Sequence, residues 1–100
     1  MILHINTKDQ KTVMVSLRKD GEEIKSLSKN NEYGSQVLLP LIEKLLKKYK
    51  IDFKDLDGIE VETGPGSFTG LRVGVSVANA IGYTLNIPVN GKKIETDLIY

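Results

Sequence analysis

The run Ile59-Glu60-Val61-Glu62-Thr63 leads without a break into Gly64-Pro65-Gly66-Ser67-Phe68-Thr69-Gly70, and the apolar-rich stretch that follows carries one charged residue, Arg72, before Leu85. Alternation in the first piece predicts a short strand, the glycines a sharp turn, and the third piece a helix from about residue 67 to residue 85. Pro88 marks the helix end and Val89 starts a last short strand. A strand that turns so tightly into a helix must pack the helix back on its own sheet. The rest of the chain has to supply that sheet.

Residues 1–6 read as a short apolar strand, and Thr12–Lys19 places Val13, Val15 and Leu17 on one face. Asp20-Gly21 is a dipeptide suited to a type I′ turn, where both central residues need positive φ. Residues 22–28 return as a third strand with Ile24 in the middle, making a meander. Apolar residues then recur at Val37, Leu38, Leu41, Ile42, Leu45, Leu46 and Tyr49, which is a helical period, with Ser35 as its N-cap. Pro40 is expected to bend the first turn or delay the start, and Lys47, Lys48 and Lys50 suit the negative end of the helix dipole. The predicted order is βββαβαβ: an α/β, ribonuclease-H-like lobe with a mixed sheet and two main helices.

One hundred residues suit one small domain, with 40% apolar and 27% charged residues. Lys and Arg number 14 against 13 Asp and Glu, a net charge of +1, so any RNA contact is expected through a partner and not directly. The absence of cysteine excludes disulfides, thiolate metal sites and cysteine nucleophiles. Residues 1–6 lack the pattern of a signal peptide, and no apolar run approaches the ~20 residues that span a bilayer. A cytoplasmic domain without membrane contact is expected.

The glycine-rich turn resists the familiar phosphate and nucleophile motifs. A P-loop needs Gly-Lys-Ser/Thr, and no lysine stands between Lys54 and Lys92. A nucleophile elbow needs glycines two residues either side of serine, but Ser67 is flanked there by Pro65 and Thr69. The dinucleotide fingerprint fails because Gly64, Gly66 and Gly70 are spaced two and four. The spacing leaves two readings open: a structural turn with Ser67 or Thr69 as helix cap, or a turn that contacts a ligand.

The eleven residues from Gly64 through Arg72 and Val73 to Gly74 resemble the signature of the TsaB (YeaZ) family, and the likeness continues to Asn86-Ile87-Pro88-Val89. Ile5-Asn6-Thr7 is similar to that family's opening strand, and residues 35–42 to its first helix, so the match spans about residues 1–91. The resemblance implies one lobe of the ASKHA kind over residues 1–91. It also implies a tail, residues 92–100, like the family's final Pro-x-Tyr segment. Typical members carry two lobes, so the length is read either as an internal shortening that kept the tail or as a chain cut at residue 100.

Functionally, the resemblance implies a non-catalytic partner in threonylcarbamoyladenosine modification of tRNA. Such a partner binds and stabilises a TsaD-like catalytic protein, with a TsaE-like ATPase as a further partner and a homodimer through the same helices. No catalytic residue, cofactor or metal is expected. The family motif residues are Gly64, Pro65, Gly66, Ser67, Phe68, Thr69, Gly70 and Arg72. Partner contacts are expected from Leu39, Ile42, Glu43, Leu46, Tyr49, Arg72 and Ser76. Two departures, Asn6 where the family has Asp and Gly34-Ser35-Gln36 where it often has His-Ser-Glu, weaken any case for metal or nucleotide chemistry.

The two helices carry stripes that fit either internal packing or a partner. Leu38, Leu41 and Leu45 make one seam of the first helix; Leu39, Ile42, Leu46 and Tyr49 make a second, at whose edge Leu39 and Leu46 are expected to be partly wet. On the second helix Gly70, Gly74, Ala78 and Gly82 line up as small residues, Val73, Val77, Ile81 and Leu85 as an apolar column, and Arg72, Ser76, Ala80 and Thr84 as the outward column. His4 is expected near the sheet edge, and Glu60 and Glu62 on a solvated strand face. A ribonuclease-H-like nuclease is the alternative function, disfavoured because Asn6 and Thr63 stand where metal-binding carboxylates are needed.

Overall fold

The computed structural model describes residues 1–9, 11–30 and 37–99. Its elements are β1 (Ile2–Asn6), β2 (Thr12–Lys19), β3 (Glu22–Asn30), α1 (Leu38–Lys48), a 3-10 turn (Phe53–Asp55), β4 (Gly58–Val61) and α2 (Phe68–Leu85). The sheet order is β3-β2-β1-β4; the first three strands are antiparallel, and β4 joins β1 in parallel. Asp20 and Gly21 both have positive φ, at 54° and 82°, so the β2–β3 hairpin turns as its sequence predicts.

Alternation along the strands decides where the core sits. Leu3 pairs with Leu17 and Ile59, and Ile5 with Val15 and Val61, so one sheet face is aliphatic across three strands. α1 lies against β2 and β3, α2 against β4 and β1, and the helices touch each other. Leu38, Leu41, Ile42, Leu45, Leu46, Val75 and Ala78 join the strand residues in a single cluster. Both helices therefore cover the same face.

Pro40 neither bends nor delays α1. It is the third helical residue, where the backbone N–H has no intrahelical partner in any case, and Leu41 N reaches Val37 O at 3.1 Å. Val37 precedes the helix and caps nothing with its side chain; the expected cap Ser35, with Gly34 and Gln36, lies outside the described residues. The last predicted strand shrinks to one residue. Val89 bridges Ile59 in parallel and Lys92 in antiparallel, because Asn90 and Gly91, with φ of 53° and 74°, reverse the chain at once.

His4 is not at the sheet edge. β1 runs between β2 and β4, and His4 is 9% exposed on the face opposite the helices. The strand pattern that predicted β1 carried no information on its neighbours.

Candidate functional site

The glycine-rich turn is held from within. Ser67 Oγ accepts from Gly70 N at 3.2 Å, Leu71 N from the same turn donates to Ser67 O at 2.9 Å, and Ser67 N donates to Lys8 O at 2.8 Å. Three amides that could have faced an anion are thus used by the protein, which favours the structural reading of the turn. The loop after β1 lies on the start of α2: Thr7 Oγ1 donates to Gly70 O at 2.6 Å, and a Cβ at Gly74 would collide with Thr7 Oγ1. Gly64, at φ 116°, sits where its missing side chain leaves room for the Ile99 carbonyl. Ile99 N donates to Thr63 O at 2.7 Å.

The chain after α2 seals the free edge of β4. Ile59 N donates to Pro88 O and Asn90 N to Ile59 O; the Asn90 side chain then accepts from Val61 N at 2.8 Å and donates to Val61 O at 3.0 Å. Asn90 thereby imitates a strand residue with its amide. Glu95 anchors this segment: its backbone exchanges two 2.8 Å hydrogen bonds with the Asn79 side chain. Its buried carboxylate accepts from Asn90, Lys92 and Asp97 N. Burial pushes the Glu95 pKa up, but the bonds from Asn90, Asp97 N and Lys92 outweigh it, and the net shift is downward.

On the helix-free face, Arg18, Glu60, His4, Glu62 and Lys8 form a charged row. Glu60 lies 3.4 Å from Arg18 and 3.9 Å from His4 Nδ1; Glu62 lies 3.5 Å from His4 Nε2 and 3.3 Å from Lys8. The two glutamates are ion-paired and not merely solvated as expected, since Arg18 on β2 reaches Glu60 and Lys8, just after β1, reaches Glu62. Burial and the Arg18 charge lower the His4 pKa, against Glu62, Glu60 and Glu23.

An apolar surface lies between the helices. Leu39 and Glu43 of α1, Phe53, and Ala80, Ile81, Thr84 and Leu85 of α2 line an apolar groove of about 380 Å³. Leu39 is 42% exposed there, as expected. Ile42 and Leu46 are not available: at 0% and 3% exposure they belong to the core, because the second seam of α1 is filled from inside the lobe. The expectation of a partly wet Leu46 is corrected accordingly. Tyr49 is half-buried and turned toward β3, with Lys25 at 5.0 Å from its ring centroid. Arg72 and Ser76, with Val73 and Val77, form a separate shallow depression; the Arg72 guanidinium lies 5.3 Å from the Phe68 ring.

Sequence reasoning did not place Phe53, Ala80, Ile81, Thr84 and Leu85 at this site. The signal was present on α2, where the apolar column of Ile81 and Leu85 borders the outward column of Ala80 and Thr84. Phe53 gave none, standing in a connection that reads as polar.

A meander extended by a parallel fourth strand, with two helices on one face, defines an actin-like (ASKHA) lobe. A solved structure, YeaZ from Pseudomonas aeruginosa, superposes with a TM-score of 0.78 at 28% identity, covering 88% of this chain and 41% of that one. The family profile described as TsaD, tRNA N6-adenosine threonylcarbamoyltransferase, matches residues 29–91. The chain belongs to this family, and to its TsaB/YeaZ members. It is 39% identical over 69 residues to the tRNA threonylcarbamoyladenosine biosynthesis protein TsaB of Buchnera aphidicola (Schizaphis graminum), covering 68% of this chain and 33% of that protein. With TsaB of Bacillus subtilis it shares 35% over 92 residues, 89% of this chain and 39% of the relative. The chain thus spans between a third and two fifths of the length of these two relatives.

Proposed function

We propose that this chain is a non-catalytic partner subunit in tRNA threonylcarbamoyladenosine biosynthesis, which binds and stabilises a TsaD-like catalytic protein through the groove between α1 and α2. Residues 1–91 form the binding lobe and residues 92–100 its C-terminal tail, in the cytoplasm. The observation that carries the reading is the groove itself. Leu39, Ile81 and Leu85 present aliphatic surface between two helices whose inner faces are already filled, the arrangement that a second helix pair completes. Names of the relatives supply the pathway. A TsaE-like ATPase would join at the composite surface, and a second copy of the chain can occupy the groove when the partner is absent.

Asn6 supports a non-catalytic role. Its Oδ1 accepts from Lys8 N at 3.2 Å and so shapes the loop that seats Thr7, whereas a metal-dependent nuclease needs a carboxylate set. Co-purification of the chain with the TsaD-like protein of its host tests the reading. Recovery of a stoichiometric complex supports it; failure of the two purified proteins to associate contradicts it.

A further inference from the structure

The chain's charges nearly cancel, but they are not evenly spread. β3 pairs with β2 so that Leu17 faces Lys25, Val15 faces Leu27 and Val13 faces Lys29. Those three β2 residues are buried beneath the helices, so the pairing puts Lys25, Leu27 and Lys29 on the helix-bearing side of β3. α1 lies against this strand. Lys29 and Lys44 flank the depression between them, over a floor that includes Leu27, Val37 and Leu41. One helical turn further on, Lys48 and Lys25 converge on Tyr49, at 5.8 and 5.0 Å from the ring centroid.

Four lysines therefore stand two by two along one seam, and among the described residues none of them is in an ion pair. Lys8, Arg18, Lys54 and Lys92 are each matched with a carboxylate, whereas among the described residues Lys11, Lys19, Lys47, Lys50 and Lys93 are not, so it is the convergence of four lysines on one seam that sets them apart. Covering the apolar floor is a use for the aliphatic stems. It does not by itself account for four ammonium groups gathered on one seam with no carboxylate paired to them among the described residues.

We propose that this seam is a contact surface for the phosphodiester backbone of RNA. Lysine is a compact, rotatable point charge, suited to phosphate oxygens and not to reading bases. Lys25 and Lys29 are about 13 Å apart along the strand, at ~3.3 Å per residue. Lys44 and Lys48 are about 6 Å apart along the helix. A strip of this length can face several consecutive phosphates of an RNA strand. Choosing RNA over an acidic protein rests on the proposed role in tRNA modification. The net charge of +1 hid the seam because a sum over the chain says nothing of its distribution.

The test titrates the chain alone into a fluorescein-labelled tRNA transcript and, separately, a labelled poly-glutamate peptide, following anisotropy between about 50 and 200 mM salt. No partner protein is present, so the outcome is independent of the helix groove. Four contacts predict a slope of log K against log salt of about −3 to −4. The variant Lys25→Gln/Lys29→Gln/Lys44→Gln/Lys48→Gln should bind at least tenfold more weakly with a flattened slope. Lys11→Gln/Lys19→Gln, off the seam, should bind within twofold of wild type. Because Lys25 and Lys48 lean on Tyr49, Lys29→Gln/Lys44→Gln is the second variant, expected to halve the slope while circular dichroism reports an intact fold. Absence of tRNA binding at the lowest salt, unchanged binding by the variants, or tighter binding of poly-glutamate overturns the proposal.

Discussion

Thr7 and Gly74, far apart in sequence, meet in the fold: the Thr7 hydroxyl occupies the space a side chain would need at Gly74 while it donates to the carbonyl of Gly70 at 2.6 Å. Within the small-residue stripe of α2, Gly70 and Gly74 let this loop approach, while Gly82 leaves room for Val89. Gly74→Ala should therefore destabilise the lobe by about 1–3 kcal/mol through overpacking. Thr7→Ala should destabilise as well, but Thr7→Ala/Gly74→Ala should cost less than the sum, since each change relieves the other. Urea denaturation of the four proteins measures the coupling; strict additivity would show that the two residues do not share one space.

Leu46→Asp should abolish folding or lower stability by ~4 kcal/mol or more, because the carboxylate would replace a side chain 3% exposed within the core. Leu39→Asp, one heptad earlier and 42% exposed, should stay within about 1 kcal/mol of wild type. Thermal melts followed by circular dichroism distinguish the two, and equal melting temperatures would contradict the assignment.

Asn90→Ala removes both side-chain bonds to Val61 and the donor to Glu95. Loss of about 1–3 kcal/mol is expected from the polar groups left unpaired. Amide exchange at Val61 should accelerate. Unchanged protection there would mean that the β4 edge is not sealed by this side chain.

Two pH windows follow from the shifted groups. His4 has its pKa lowered below the ordinary 6.5, so the unfolded chain binds the proton more readily. Stability should fall as pH drops from about 6.5 toward the folded value and then level off. His4→Gln should flatten this window. Glu95, also lowered, contributes stability that is present above its ordinary 4.5 and lost as pH falls through the folded value. Glu95→Gln should blunt that lower, acidic limb, with denaturant midpoints across the two ranges as the readout.

Much of the scaffold was legible because local rules governed it. Val13, Val15 and Leu17 alternate, Asp20-Gly21 turns, and Ser67 caps α2 as a short polar residue before an apolar helix should. What stayed hidden depends on contacts between distant segments. Periodicity identifies both seams of α1 as apolar without saying which the lobe fills, so Leu46 and Leu39 look alike until α2 and the sheet are placed. Asn90 reads as a turn residue, and nothing nearby announces that its amide completes β4. The lysine seam needs the register of β3 on β2, which no spacing in the chain encodes.

The groove between α1 and α2 is the centre of the functional account, and calorimetric titration of the TsaD-like protein with wild type, Leu39→Asp and Ile81→Asp tests it most directly. The account predicts saturable binding for wild type. For each folded variant, affinity should fall at least tenfold, on the order of 1.4 kcal/mol or more, as expected where an unpaired charge enters an apolar contact. Wild-type affinity retained by both variants, with their folds intact, would contradict it.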